Sequence, residues 1–272
     1  MAERRPRHVV DFHTHAFPEK IAGRAIASLA ESYEVEAVGE ATIRGLTERM
    51  NEAGVDVSVV VPVATRAEQV ESINEWAASI RSDRIVCFGA LHPDLSDPVS
   101  EVERIIELGL KGVKFQPNFQ QFSPDDASLC PVYEAAQGRL VLLFHSGQEI
   151  RPLEHVYAQP AALARVNEAF PELTMVVAHM GGYQMWEEVR QHLVGRDLYF
   201  DTSYCRENDL RDEEIVRLIR EHGAERVVFG TDFPWGHPTR DVARLCELDL
   251  EGEELEAIAW ENASDLVDLD LA

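Results

Sequence analysis

The residues best equipped for chemistry in this sequence are histidines placed at the ends of apolar runs. The stretch VVDFHTHAFP sets His13 and His15 two positions apart, directly after buried-looking residues. Side chains alternate faces along a β-strand, so both imidazoles point one way and Thr14 points the other. Two imidazoles on one side of one strand end make half a metal site, or else two unrelated solvated histidines. Three further apolar runs end in comparable groups: FHSG at His145, AHMGG at His179 and FGTDFP at Asp232.

Positioning such groups together requires a repeating scaffold, and the sequence predicts one. Aliphatic and β-branched runs recur at 8–12, 57–63, 85–91, 112–116, 139–145, 174–179, 198–202 and 226–232. Amphipathic helical patterns lie between them, as at 42–54, 67–81 and 98–109, and the last stops on Gly109. The long first gap holds an extra helix, 21–33, expected over or beside the mouth. Eight strands alternating with helices in a chain of 272 residues predict a single α/β domain, a (β/α)8 TIM barrel spanning 1–272. Residues 239–272 would supply its last helices. A doubly wound open sheet is the alternative, but no GxGxxG or GxxxxGK[ST] follows any strand. In the barrel, active sites lie at the C-terminal strand ends, where His13, His15, His145, His179 and Asp232 all fall.

The ordered motifs DFHTH, GVKFQP, FHSG, AHMGG and FGTDFP resemble the amidohydrolase superfamily. The resemblance is to its amidohydrolase-related branch, which includes aminocarboxymuconate-semialdehyde decarboxylase-like enzymes, and it covers nearly the whole chain. It implies that His13, His15, His145 and Asp232 bind one divalent metal, with zinc expected and manganese or iron(II) as alternatives. It also implies that His179 holds or deprotonates a metal-activated water, with Asp232 sharing that catalytic role. The donor types agree: neutral imidazoles and a carboxylate suit zinc, and a catalytic site keeps an open position. A silent structural zinc is disfavoured because such sites close four ligands and prefer cysteine.

The other candidates are weaker. Lys114, on the fourth run, corresponds to the strand that carries a bridging carboxylated lysine in binuclear members; one metal is the expectation, with Lys114 lining the pocket. His92 either reaches the pocket or makes a local hydrogen bond through HPD. His237 is by default a solvated loop residue, and Cys205 is read as packing. Arg66, Arg151 and Arg206 follow strand ends and are candidates for binding a substrate carboxylate. Phe17, Phe119, Phe122, Tyr183, Trp186 and Trp235 lie nearby in sequence. Together these suggest a small, partly apolar substrate bearing a carboxylate.

Composition narrows the function further. Forty-nine acidic residues face 25 basic ones, a net charge of −24, and only Lys20, Lys111 and Lys114 are lysines. Such charge repels phosphate backbones and argues against nucleic-acid binding. It fits an Arg-rich codon preference or adaptation to high salt. No apolar run approaches the ~20 residues of a membrane span, and MAERRPR lacks the apolar region of a secretory signal. Cys87, Cys130, Cys205 and Cys246 are scattered, as in a reducing, cytoplasmic protein. A homodimer is compatible with the sequence without being specified by it.

The first expectation is therefore a metal-dependent hydrolase acting on an amide, ester or lactone. Non-oxidative decarboxylation of an unsaturated or aromatic acid is the alternative. A non-catalytic barrel that binds a metal or metabolite is the rival from another class.

Overall fold

The computed structural model describes residues 4–33, 36–205 and 210–271. Among the described residues there are nine short strands, with helices between all but the third and fourth: β1 Val10–Thr14, β2 Val57–Val60, β3 Ile85–Cys87, β4 Gly89–Ala90, β5 Gly112–Phe115, β6 Val141–Phe144, β7 Met175–Val177, β8 Tyr199–Asp201 and β9 Val227–Val228. The third apolar run is thus two strands, broken at Phe88. Asn74 braces the second of them. Its side-chain amide donates to Ala90 O at 3.1 Å and its carbonyl accepts from Ala90 N at 2.7 Å. A side chain thereby occupies backbone groups that a neighbouring strand would otherwise pair.

The chain folds into two compact units that interleave along the sequence. The first comprises residues 1–60, 82–86 and 201–272. Here β1 and β2 pair in parallel, Val10 opposite Val57 and Thr14 opposite Val60. Backbone bonds Phe12 N to Phe229 O, Asp232 N to His13 O and His15 N to Phe233 O lay residues 229–233 along the other side of β1. Phe12, Leu46, Met50, Val59, Phe229 and Phe233 are buried in this unit. Each such side chain contributes about 1.5–3 kcal/mol when fully removed from water. The helix Ile43–Ala53 is capped by Thr42, whose side chain accepts from Gly45 N, and ends at Gly54 with φ 69°.

The second unit comprises residues 61–81 and 87–200. Its strands β4 to β8 pair in parallel in sequence order, with Ala90 opposite Lys114, Phe115 opposite Phe144 and Phe144 opposite Val177. Strands buried on both faces read as continuous apolar runs, which is why VLLF and MVV show no alternation. The Phe115 and Phe144 rings stack with centroids 5.2 Å apart. Helix Pro98–Glu107 begins on Asp97, which accepts from Ser100 N, and the chain turns at Gly109 with φ 69°. The helix expected over 67–81 is a short 3-10 turn, Ala67–Gln69, followed by Val70–Ser79. That expected over 21–33 is Glu19–Tyr33.

Candidate metal centre

In the first unit, β1 delivers His13 and the residue after it, His15, towards the loop that follows β9. His13 Nε2 lies 3.7 Å and His15 Nε2 3.1 Å from the same oxygen, Asp232 Oδ1. One ligand atom from each of the three lies within 4.8 Å of the others. His13 is buried, whereas His15 and Asp232 are partly accessible. Two nitrogens and a carboxylate oxygen converging on one side are a donor set for a divalent transition metal.

Three residues that sequence reasoning missed hold this group in place. Asp201 Oδ2 sits 2.8 Å from His13 Nδ1, and Ser203 Oγ sits 3.0 Å from the same nitrogen. A carboxylate there makes Nδ1 the N–H and leaves Nε2 as the lone-pair atom. Asp11 accepts from Thr231 N at 2.9 Å, Thr231 Oγ1 at 2.6 Å and His13 N at 3.3 Å, tying β1 to the residue before Asp232. Burial pushes the Asp11 carboxyl up to about 8 against these bonds. Asp11 stands two residues before His13 in DFHTH, and that same-face spacing was the available signal; Asp201 is the last residue of β8 and carried none. The approach is close: a Cβ on Gly230 would lie 2.9 Å from His13 Cβ.

In the second unit, His145 follows β6 and His179 follows β7. His145 Nδ1 lies 3.1 Å from His179 Nε2. Its Nε2 lies 3.1 Å from Glu149 Oε1 and 3.2 Å from Gln148 O. The same Glu149 oxygen accepts from Gln116 Nε2 at 3.0 Å and Asn118 Nδ2 at 2.9 Å. Burial acts to raise the Glu149 carboxyl, but His145 and the two amides outweigh it and hold it below the usual range. Glu149 too was missed; it stands four residues after His145 on a loop, where no periodicity marks it. His179 and Met180 adopt φ 60° and 52°, a left-handed turn that L-residues take at a cost of about 1–3 kcal/mol. The two loops are stitched by Tyr183 N to Ser146 O and Ser146 Oγ to Gly181 O.

The weaker candidates fall out unevenly. Lys114 is buried within β5. His92 is buried and accepts from Asp94 N through Nδ1 at 3.2 Å, the local HPD bond. Arg66 and Arg151 are exposed, and Arg66 opens the 3-10 turn. Trp235 donates its backbone N–H to Asp232 O. Arg206 lies outside the described residues. Cys205 borders a cavity of about 290 Å³ with Thr202, Tyr204, Arg240 and Arg244. Arg244 is committed there to Asp212 at 2.6 Å and to the Cys205 and Leu210 carbonyls. The four cysteines form no disulfide.

The sequence matches the amidohydrolase family over residues 10–269. The chain belongs to this family. Among curated protein sequences nothing matches it. Solved structures do resemble this amidohydrolase. One is a TIM-barrel protein from Bordetella bronchiseptica, 18% identical, covering 96% of this chain and 99% of that one, TM-score 0.77. Another is 5-carboxyvanillate decarboxylase from Sphingomonas paucimobilis, 15% identical over 97% and 99%, TM-score 0.71. A third is a dihydroxybenzoic acid decarboxylase from Polaromonas sp. JS666 with bound manganese and the inhibitor 2-nitroresorcinol, 19% identical over 97% and 98%, TM-score 0.71. At such identity the likeness speaks to fold: this amidohydrolase has the α/β TIM-barrel fold that its strand rhythm predicts. Among its described residues no helix is long and apolar enough to cross a membrane.

Proposed function

We propose that this amidohydrolase is a metal-dependent enzyme that decarboxylates a small aromatic or unsaturated acid. The observation that carries the metal dependence is the convergence of His13, His15 and Asp232 on one side of β1. The preference for decarboxylation rests on the activities named for the Sphingomonas and Polaromonas structures. Hydrolysis of an amide, ester or lactone is the second reading, favoured by the family's own description. The single domain, 1–272, belongs to the same proposal and is supported by one family match over 10–269.

The donor set fits one divalent ion. His13 and His15 would hold it through Nε2 and Asp232 through Oδ1, with His145 assigned to it on its motif alone. We take zinc as the ion on donor chemistry, with manganese, found in the Polaromonas structure, as the alternative. When bound, such an ion supplies positive charge that orients and polarises a substrate oxygen and acidifies water. The remaining work falls to the chain. Asp201 and Ser203 keep His13 turned with Nε2 outward, and Asp11 fixes the spacing between β1 and Asp232. His179 is proposed as the proton carrier. In decarboxylation the breaking C–C bond leaves its electron pair on the substrate carbon, and the proton that His179 gives up completes the product as carbon dioxide leaves.

The test is elemental analysis of the purified protein, then a panel of aromatic carboxylic acids beside lactones and amides. One divalent ion per chain with carbon dioxide release from an aromatic acid is expected. A metal-free wild-type protein after growth with zinc, manganese and iron would overturn the reading. His179→Asn should keep the metal and lose about 10²–10⁴-fold in turnover; loss of metal instead would make His179 a ligand.

A further inference from the structure

Glu149 has no role among the residues that the family motifs pick out, yet its setting is specific. It is buried, and one of its carboxylate oxygens accepts from Gln116 Nε2 and Asn118 Nδ2 and lies 3.1 Å from His145 Nε2. The amides are themselves fixed. Asn118 also donates to Gly147 O at 3.0 Å and accepts from Tyr157 N and Ala158 N. Gln116 Oε1 accepts from Asn118 N at 3.2 Å. The carboxylate is therefore held from behind by side chains that cannot turn without breaking several bonds.

The consequence falls on His145. Its Nε2 faces a carboxylate oxygen at 3.1 Å and a backbone carbonyl at 3.2 Å. Neither can donate, so Nε2 must carry the proton. The nitrogen that remains, Nδ1, lies 3.1 Å from His179 Nε2. At His13 the arrangement is reversed, because Asp201 engages Nδ1 and leaves Nε2. A carboxylate behind an imidazole fixes both the tautomer and the ring orientation and makes the opposite nitrogen a better donor to a metal or proton.

We propose that Glu149 is a positioning residue: it holds the His145 ring as the Nε2–H tautomer and presents Nδ1 as the lone-pair atom. In the metal-free protein that lone pair receives the Nε2 proton of His179. The functional meaning of this arrangement rests on the metal reading above, but the tautomer does not.

The bland alternative is that Glu149 only braces the loop after β6 through Asn118 and Gln116. Nitrogen-15 NMR of the metal-free, histidine-labelled protein near pH 8 separates the two. Wild type should show His145 protonated at Nε2 and bare at Nδ1, a result that needs no variant to fold. Glu149→Ala should lose this preference and give a mixture of tautomers, whereas Glu149→Gln, which keeps an acceptor oxygen, should retain it. His92 serves as internal control, since its Nδ1 is engaged by Asp94 N away from Glu149. A wild-type His145 protonated at Nδ1 would overturn the proposal. So would Glu149→Ala with the wild-type tautomer, because the Gln148 carbonyl would then suffice alone. Metal titration is read separately, with binding expected to weaken about 10–100-fold in Glu149→Ala. A changed tautomer with unchanged metal affinity would support the positioning role and remove His145 from the metal reading.

Discussion

Two carboxyls with no place in the ligand set decide how well His13 can work. Asp201 and Ser203 both engage His13 Nδ1, so the nitrogen left for a metal is set before any metal arrives. Asp201→Asn replaces a charged acceptor with an amide that can present either an oxygen or an N–H. Metal affinity is expected to fall about 10–100-fold, read by competition with a chelator; unchanged affinity would contradict this. Asp11 makes a different prediction. Its folded-state value is raised to about 8 from 3.8, chiefly by burial. Between those values the unfolded chain has already lost the proton that the folded chain keeps, so the Asp11 contribution to stability falls as pH rises from 4 to 8. Asp11→Asn mimics the protonated form and does not titrate. In the metal-free protein its melting temperature relative to wild type should therefore be more favourable at pH 8 than at pH 5. An equal difference at both values would show that Asp11 does not keep its proton.

At the scale of elements, the strands stop short of the residues they serve. The runs read as strands to His179 and Asp232 end at Val177 and Val228, and both functional residues sit in left-handed turns, φ 60° and 63°. Backbone in that region is held only by surrounding structure, here the bonds Asp232 N to His13 O and Gly182 N to His179 O. The loop after β9 comes so close to β1 that position 230 tolerates no side chain. An added Cβ would meet His13 Cβ at 2.9 Å and Ser203 Cβ at 3.3 Å. Gly230→Ala is expected to destabilise by about 1–3 kcal/mol and to weaken metal binding by displacing His13. Gly252→Ala, where no atom lies within 4 Å of the new Cβ, should do neither. Equal melting temperatures for the two variants would mean that β1 shifts without cost.

For the whole molecule the dominant feature is charge. A net charge of −24 on 272 residues leaves an excess of carboxylates that the arginines cannot neutralise. Surface pairs such as Arg139–Glu103 and Arg165–Asp125, both at 2.6 Å, do form, but exposed pairs contribute only about 0–1 kcal/mol each. Repulsion among the rest destabilises the compact state, and salt screens it over about 8 Å at physiological strength. The melting temperature should rise from low to molar sodium chloride, with the fold retained in dilute buffer. A flat or falling curve would remove the repulsion argument, and unfolding in dilute buffer would instead mark adaptation to high salt.

The sequence by itself determined the rhythm of strands and helices, because parallel strands covered by helices are written as short apolar runs and helical periodicity. It also determined that His13 and His15 share a face, since the two-residue repeat of a strand is a local property. The residues that orient them are another matter. Asp201 and Ser203 are 188 and 190 positions from His13, and Thr231 is 220 from Asp11. No local period links residues so far apart, and an aspartate inside LYFDT reads like any strand-end polar residue. Glu149 is near in sequence but lies on a loop, where spacing predicts no direction. The bonds from Asn74 to Ala90 were hidden for a similar reason, since they join a helix residue to a strand. Which nitrogen each histidine offers was decided only by tertiary structure, because it depends on what the fold brings against the other nitrogen.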